Sequence, residues 1–175
     1  MASLRLRDRD AIVTGEGLIF RVFGCSHPQH VFICDAEYAP ARIFTSNDPR
    51  AVRNGGNQVF YKFYDDEGWR LVFSRFPQYT VFHEMLGQRV VGVSQGDIAQ
   101  ARKPEERLRV LFEADPRDEL HDAMQRVLDI VLKDSGLSVE NFGVFGSLLH
   151  GFHHPKLSDI DLIVYGRKEN ARMRE

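Results

Sequence analysis

Cysteine is scarce in this chain. Cys25 and Cys34 are the only two among 175 residues, and they lack CxxC spacing, which excludes a disulfide scaffold and a cysteine-based zinc site. Reduced thiols and a cytoplasmic location are the expectation. Long apolar runs are missing too: none approaches the roughly 20 residues that cross a bilayer. The opening stretch, Met1 to Asp10, mixes both charge signs and has no apolar h-region, so it does not read as a signal peptide. Net charge is only -2, from 23 Lys and Arg against 25 Asp and Glu. That excludes a global basic field for nucleic acid and leaves room only for a local patch. There is no internal repeat and no low-complexity tract.

What is present is the balance of a folded protein. Hydrophobic residues make up 43% and charged residues 27%, in a length that suits one ordinary domain or two small ones. The 13 Phe imply an aromatic-rich core. Short segments rich in β-branched and aromatic residues predict strands at 11–14, 18–23, 30–34, 58–63, 79–82 and 89–93. The stretch from Ser46 to Asn57 reads as a loop. Trp69, Val72, Phe73 and Phe76 fall at helical spacing and end at Pro77, a stripe expected to face the core. The expectation is an α+β domain with an antiparallel sheet over residues 1–103.

From Pro104 the apolar period becomes helical, with Leu108, Leu111 and Phe112 on one face. Asp115-Pro116 is expected to open a second helix, Asp115 as its cap, with Leu120, Ala123, Met124, Val127, Leu128 and Val131 buried and Gly136 as its stop. Residues 104–175 are thus expected to form a second domain.

That domain carries the chemistry. Phe142 to Phe145 predicts a strand ending at Gly146-Ser147, followed by a short helix that Pro155 cannot continue. Asp159 to Tyr165 predicts another strand. Residues i and i+2 of a strand share a face, so Asp159 and Asp161 should project together while Ile160, Leu162 and Val164 point into the core. Two convergent carboxylates make a hard-oxygen site suited to Mg²⁺ or Mn²⁺. Backbone N–H groups at Gly146-Ser147 favour an anion, and glycine permits close approach of a phosphate. Eleven residues lie between Ser147 and Asp159, so antiparallel pairing would bring cradle and carboxylates to one sheet edge.

The order strand-Gly-Ser, helix, strand-Asp-x-Asp resembles the DNA polymerase β-type nucleotidyltransferase superfamily over about residues 116–175. The whole chain also looks like uncharacterised archaeal proteins that fuse a small N-terminal domain to this motif. The resemblance implies a polymerase β-like domain with a mixed sheet, Asp159 and Asp161 as catalytic metal ligands, and Gly146, Ser147 and Ser158 at the nucleotide. Lys156 joins them as a nucleotide contact or, equally, as a solvated loop residue. It also implies an NTP substrate and Mg²⁺-dependent transfer of a nucleoside monophosphate to a hydroxyl of an unidentified acceptor, whether RNA, protein or small molecule.

Two departures stand out. Many members carry Arg where His150 precedes Gly151. A third carboxylate from a later strand is also wanted, yet only fourteen residues follow Asp161, and Glu169 and Glu175 fall on a helix-like tail. The chain is therefore expected to be a truncated piece of a longer protein, its open strand edge covered by the N-terminal domain or by a second copy in a homodimer. The rival readings are a catalytically silent nucleotide-binding or regulatory module, and a nucleic-acid-binding protein using Arg42, Arg50, Arg53 and Lys62. His150, His153 and His154 lack the partners for a zinc site, and Gln95 to Gln100 only faintly suggests a helix-turn-helix.

Overall fold

The computed structural model describes residues 4–174. The chain divides into two compact units, residues 1–101 and 102–175, and the fold is α+β.

The N-terminal unit is organised by one long strand. In order it contains β1 (Ala11–Thr14), β2 (Ile19–Val22), β3 (Val31–Pro40), β4 (Val52–Gly55), β5 (Gln58–Lys62), α1 (Glu67–Arg75), β6 (Thr80–His83), β7 (Gln88–Ser94) and β8 (Ile98–Arg102). Sheet order runs β4-β5-β3-β2-β1-β8, with β7 also on β3 and β6 outside β7. Tyr38 pairs with Ile19 of β2 and with Lys62 of β5, so β5 lies on the edge of β3 opposite β2. Ile33 pairs with Gly92 of β7 while its carbonyl accepts from Phe23 N–H. Thus β5 and β7 share one edge of β3, each taking one end.

Alternation explains why β3 runs so far. Phe32, Cys34, Ala36 and Tyr38 are buried, while Asp35 and Glu37 point the other way toward Arg21. The expected strand stopped at Cys34, six residues short. The loop expected at 46–57 likewise contains β4, paired with β5 through a two-residue turn at Gly56-Asn57. Such a turn demands positive φ, and Gly56 has +65°. Where a faint helix-turn-helix was weighed, the chain forms β8 instead.

Helix α1 corrects the expected stripe. Gly68, Leu71 and Val72 are buried, and Phe73 and Phe76 pack partly on the core. Trp69 is 46% exposed and stacks on Phe73 at 3.8 Å. The helix approaches β3 through Gly68, where an added Cβ would lie 2.9 Å from the Ala36 carbonyl oxygen. That close approach rotates Leu71 inward and Trp69 outward.

The arginines of the candidate nucleic-acid patch each make bonds within the N-terminal unit. Arg50 forks onto Asp48, Arg53 donates to the Val52 carbonyl at 2.9 Å, and Arg42 donates to the Glu16 carbonyl. Lys62 lies over the Tyr64 ring.

The C-terminal unit contains α2 (Pro104–Glu113), α3 (Glu119–Ser135), β9 (Phe142–Val144), α4 (Gly146–His150), β10 (Leu162–Val164) and α5 (Arg167–Arg172). Leu108, Leu111, Leu120, Met124, Leu128, Phe142, Val144 and Leu148 form its core. Asp118, not Asp115, caps α3, its Oδ1 accepting from the N–H groups of Leu120 and His121; Pro116 therefore precedes the helix. Val127 is 41% exposed rather than buried. His121 takes an inward place unforeseen in the sequence. Its Nδ1 accepts from Arg117 N–H and its Nε2 donates to the Leu111 carbonyl, so a buried imidazole is fully partnered. Gly136 ends the helix as expected, in the left-handed conformation. Among the described residues this unit's sheet is the antiparallel pair β9-β10 rather than a mixed one, because no strand lies parallel to either.

Candidate functional site

The antiparallel register assembles the site. Val144 pairs with Leu162 and Phe142 with Val164. Phe145 N–H donates to the Asp161 carbonyl at 3.0 Å, extending the ladder one residue beyond the regular strand. Asp159 and Asp161 therefore precede β10 rather than lie within it. Core burial starts the strand at Leu162, while the carboxylates stay at its more open end.

Alternation around them holds. Ile160, Leu162 and Val164 pack against the core, which turns the intervening residues Asp161 and Ile163 to the other side. Asp159 is exposed and Asp161 half-buried. Gly143 is the cross-strand partner of Ile163, so its Cα opens onto the face that carries Asp161. The start of α2 covers that face: a Cβ at Gly143 would lie 2.8 Å from Pro104 Cβ and 3.1 Å from the Glu105 nitrogen. Tyr165 hydroxyl donates to Glu105 there, at 3.2 Å.

Gly146 meets Asp161 directly. With φ at +62°, it turns the chain from β9 into α4, and an added Cβ would stand 2.5 Å from Asp161 Oδ2. Any other residue would pay both the left-handed backbone and a collision with the carboxylate. The short helix starts two residues earlier than expected, at Gly146, and closes at Gly151, whose N–H is within reach of the Leu148 and Ser147 carbonyls. Leu148 and Leu149 are buried beneath it. His150 follows Gly146 by four residues and Ser147 by three, so the three share one helix face.

Of the other residues singled out in the sequence, Lys156 and Ser158 lie in the loop just before Asp159. Ser158 hydroxyl accepts from His154 N–H at 2.9 Å, and Lys156 N–H donates to His154 Nδ1 at 3.2 Å, so both belong to a self-closed turn. His153 Nε2 bonds Asp118 Oδ2 at 2.9 Å, tying the loop before β10 to the cap of α3. Burial alone would raise Asp118, but the His121 N–H and the His153 side chain outweigh it and hold its carboxyl below the usual range. Glu169 lies on α5; Glu175 is outside the described residues.

Two functional candidates escaped sequence reading. Arg102 approaches His150 Nδ1 to 3.0 Å, and because guanidinium only donates, that ring nitrogen accepts. Arg107 donates its Nε–H to the Leu148 carbonyl at 3.1 Å. Burial pushes both guanidiniums below their ordinary values; Arg107 presses further on Arg102, and Arg117 on Arg107. Nothing in the pattern of single residues announces this row of cations.

Among the described residues, no group of three or more His, Cys, Asp and Glu is placed to hold a metal by itself. The Asp159 and Asp161 oxygens nevertheless fit the chemistry of a hard divalent cation that takes its remaining ligands from water and phosphate. No described helix is long and apolar enough to cross a membrane.

Comparison with known proteins reaches the same region. Residues 124–175 match the family described as nucleotidyltransferase domain. The uncharacterized protein MJ1086 of Methanocaldococcus jannaschii is 27% identical over 182 residues, covering 98% of this chain and 51% of that protein. The chain thus spans about half the length of the relative it matches. No solved structure matches it.

Proposed function

We propose that the chain, whose residues 124–175 match the nucleotidyltransferase domain family, serves Mg²⁺- or Mn²⁺-dependent transfer of a nucleoside monophosphate from an NTP to an acceptor hydroxyl. The observation that carries this reading is the seating of the Asp161 carboxylate against Gly146, with Asp159 two residues earlier. Gly146, lacking a side chain, lets the Asp161 carboxylate close on the start of α4, where backbone N–H groups favour a phosphate. Asp161 and Asp159 would hold the divalent cation. When bound, it would neutralise the triphosphate and ease loss of the acceptor proton.

In the reaction the acceptor oxygen forms a bond to the α-phosphorus in line with the departing oxygen. The bond to the β-phosphate breaks, pyrophosphate leaves with the electron pair, and the hydroxyl proton passes to solvent or a carboxylate. Residues of this chain bind and orient: Gly146 and Ser147 at the β- and γ-phosphates, the aspartates beside the α-phosphate.

The test is calorimetry with each of the four ribonucleoside triphosphates and Mg²⁺, comparing the native chain with Asp161→Ala. We expect the variant to keep its melting temperature and lose metal-dependent affinity by about tenfold or more, the scale of one charge-assisted contact. Equal binding by both proteins would remove the carboxylate pair from the site. Binding without transfer of a labelled nucleotide would favour a silent nucleotide-binding module.

A further inference from the structure

We propose that Arg102, braced by His150, is the phosphate-gripping cation of this site and holds the β- and γ-phosphates of the bound triphosphate. The proposal deepens the nucleotidyltransferase reading and rests on it. Arg102 lies outside the stretch 124–175 that matches the family, so that match assigns it nothing.

Two placements bring Arg102 to the nucleotide. The first runs through α4. His150 shares a helix face with Gly146 and Ser147, the Asp161 carboxylate fills the place a Gly146 side chain would take, and Arg102 reaches the same imidazole at 3.0 Å. The second runs through the strands. Pro104 and Glu105 lie against Gly143, on the face of the β9-β10 pair that carries Asp161, and Arg102 is two residues upstream of Pro104.

Charge supplies the reason for an anion. Arg102, Arg107 and Arg117 press on one another in series, the first two held partly out of water. Like charges gathered in this way cost free energy, and a polyanion arriving among them recovers it. The three do not play the same part. Arg107 is engaged with the Leu148 carbonyl, which makes it a brace for the end of α4. Arg102 contacts a side chain on the phosphate-facing side of the helix. A guanidinium's planar fork can grip two phosphate oxygens while one nitrogen leans on the imidazole. His150 accepts at Nδ1 and so steadies the guanidinium of Arg102.

The experiment uses the full chain and inorganic tripolyphosphate, an anion with no base, sugar or α-phosphorus chemistry. Affinity is measured by calorimetry for the native chain, Arg102→Gln, Arg102→Lys and, as a distant control, Arg126→Gln on the exposed side of α3. We expect Arg102→Gln to weaken tripolyphosphate binding by about tenfold or more. Arg102→Lys, which keeps the charge but not the fork, should fall between, and Arg126→Gln should bind as the native chain does. If Arg102→Gln does not fold, the comparison of Arg102→Lys with the native chain decides, since loss of the fork alone should cost severalfold. Equal binding by the native chain and the Arg102 variants, or no binding by the native chain, would overturn the proposal. Asp161→Ala separates the two ideas. If it binds Mg²⁺ and NTP as the native chain does while Arg102→Gln loses tripolyphosphate, the anion site stands and the nucleotidyltransferase reading falls.

Discussion

In the N-terminal unit, β3 pairs with β2, β5 and β7 within a sheet of eight described strands, and the apolar side chains of β1, β2, β3 and β7 meet in one buried cluster. Among the described residues of the C-terminal unit, two three-residue strands pair, and the core beneath them comes largely from α2 and α3. The first arrangement buries most of its central strands β1 and β2, alternate residues along most of β3 and the end of β7, leaving its outer strands more open. The second keeps the strand ends short, so Gly146, Asp159 and Asp161 sit at the margin of the core, where a side chain can meet solvent and ligand. A small sheet on a helical base leaves polar groups available at its edge; a large one spends them on its own completion.

The largest expected effect tests the packed half. Phe20 is fully buried and meets Tyr79 edge-on at 5.5 Å. Phe20→Ala should cost about 3–5 kcal/mol of stability, measured by denaturant unfolding. A cost below about 1 kcal/mol would mean that this core tolerates cavities like a loose surface.

A sharper contrast comes from two glycines, one in each unit. At Gly68 a Cβ would meet backbone, the Ala36 carbonyl oxygen at 2.9 Å, whereas at Gly146 it would meet the movable end of Asp161. Gly68→Ala should therefore lose about 1–3 kcal/mol with no change in nucleotide affinity. Gly146→Ala should lose about 1–2 kcal/mol from its left-handed backbone and, in addition, most of its Mg²⁺-dependent NTP binding. Reversal of the binding result, read by calorimetry, would erase the distinction between packing glycine and site glycine.

The smallest effect concerns the cap that ties α3 to the loop before β10. Asp118→Ala should cost about 1 kcal/mol at neutral pH. The folded-state pKa of Asp118 is lowered, so its contribution is complete above the unfolded value of about 3.9 and fades as pH falls through the folded value. Unfolding curves of native and variant chains should converge below about pH 4. A gap unchanged at pH 3 would show that the carboxylate charge is not what stabilises the cap.

Legibility in the sequence differed between the same two regions. The site's frame could be read because its signals are local: a glycine between an apolar strand and a short helix, and Asp-x-Asp against Ile160, Leu162 and Val164. The continuation of β3 beyond Cys34 was missed because Asp35 and Glu37 interrupt the apolar run, although Cys34, Ala36 and Tyr38 keep the alternation. Strand β4 escaped because Val52 is its single large apolar residue and remains exposed; the Gly56-Asn57 turn was the available cue. Trp69 misled because helical spacing gives a face but not its rotation, which Gly68 sets by its approach to β3. Arg102 and Arg107 escaped for a deeper reason. They are remote from the motif in sequence, and only the packing of α2 on Gly143 brings them near it.

The single ladder bond from Phe145 to the Asp161 carbonyl works like the frame of a reading mechanism. Strand side chains alternate, so a slip of one residue between β9 and β10 would turn Asp161 toward the core and push Ile160 and Leu162 into water. The core opposes that slip through the packing of Ile160, Leu162 and Val164, each partly buried against it. Which way the carboxylate faces is thus decided by apolar neighbours rather than by the turn between Gly151 and Ser158. That turn is held separately, by buried Phe152 and by the bond of His153 to Asp118, so it anchors the loop without setting the aim of the aspartates.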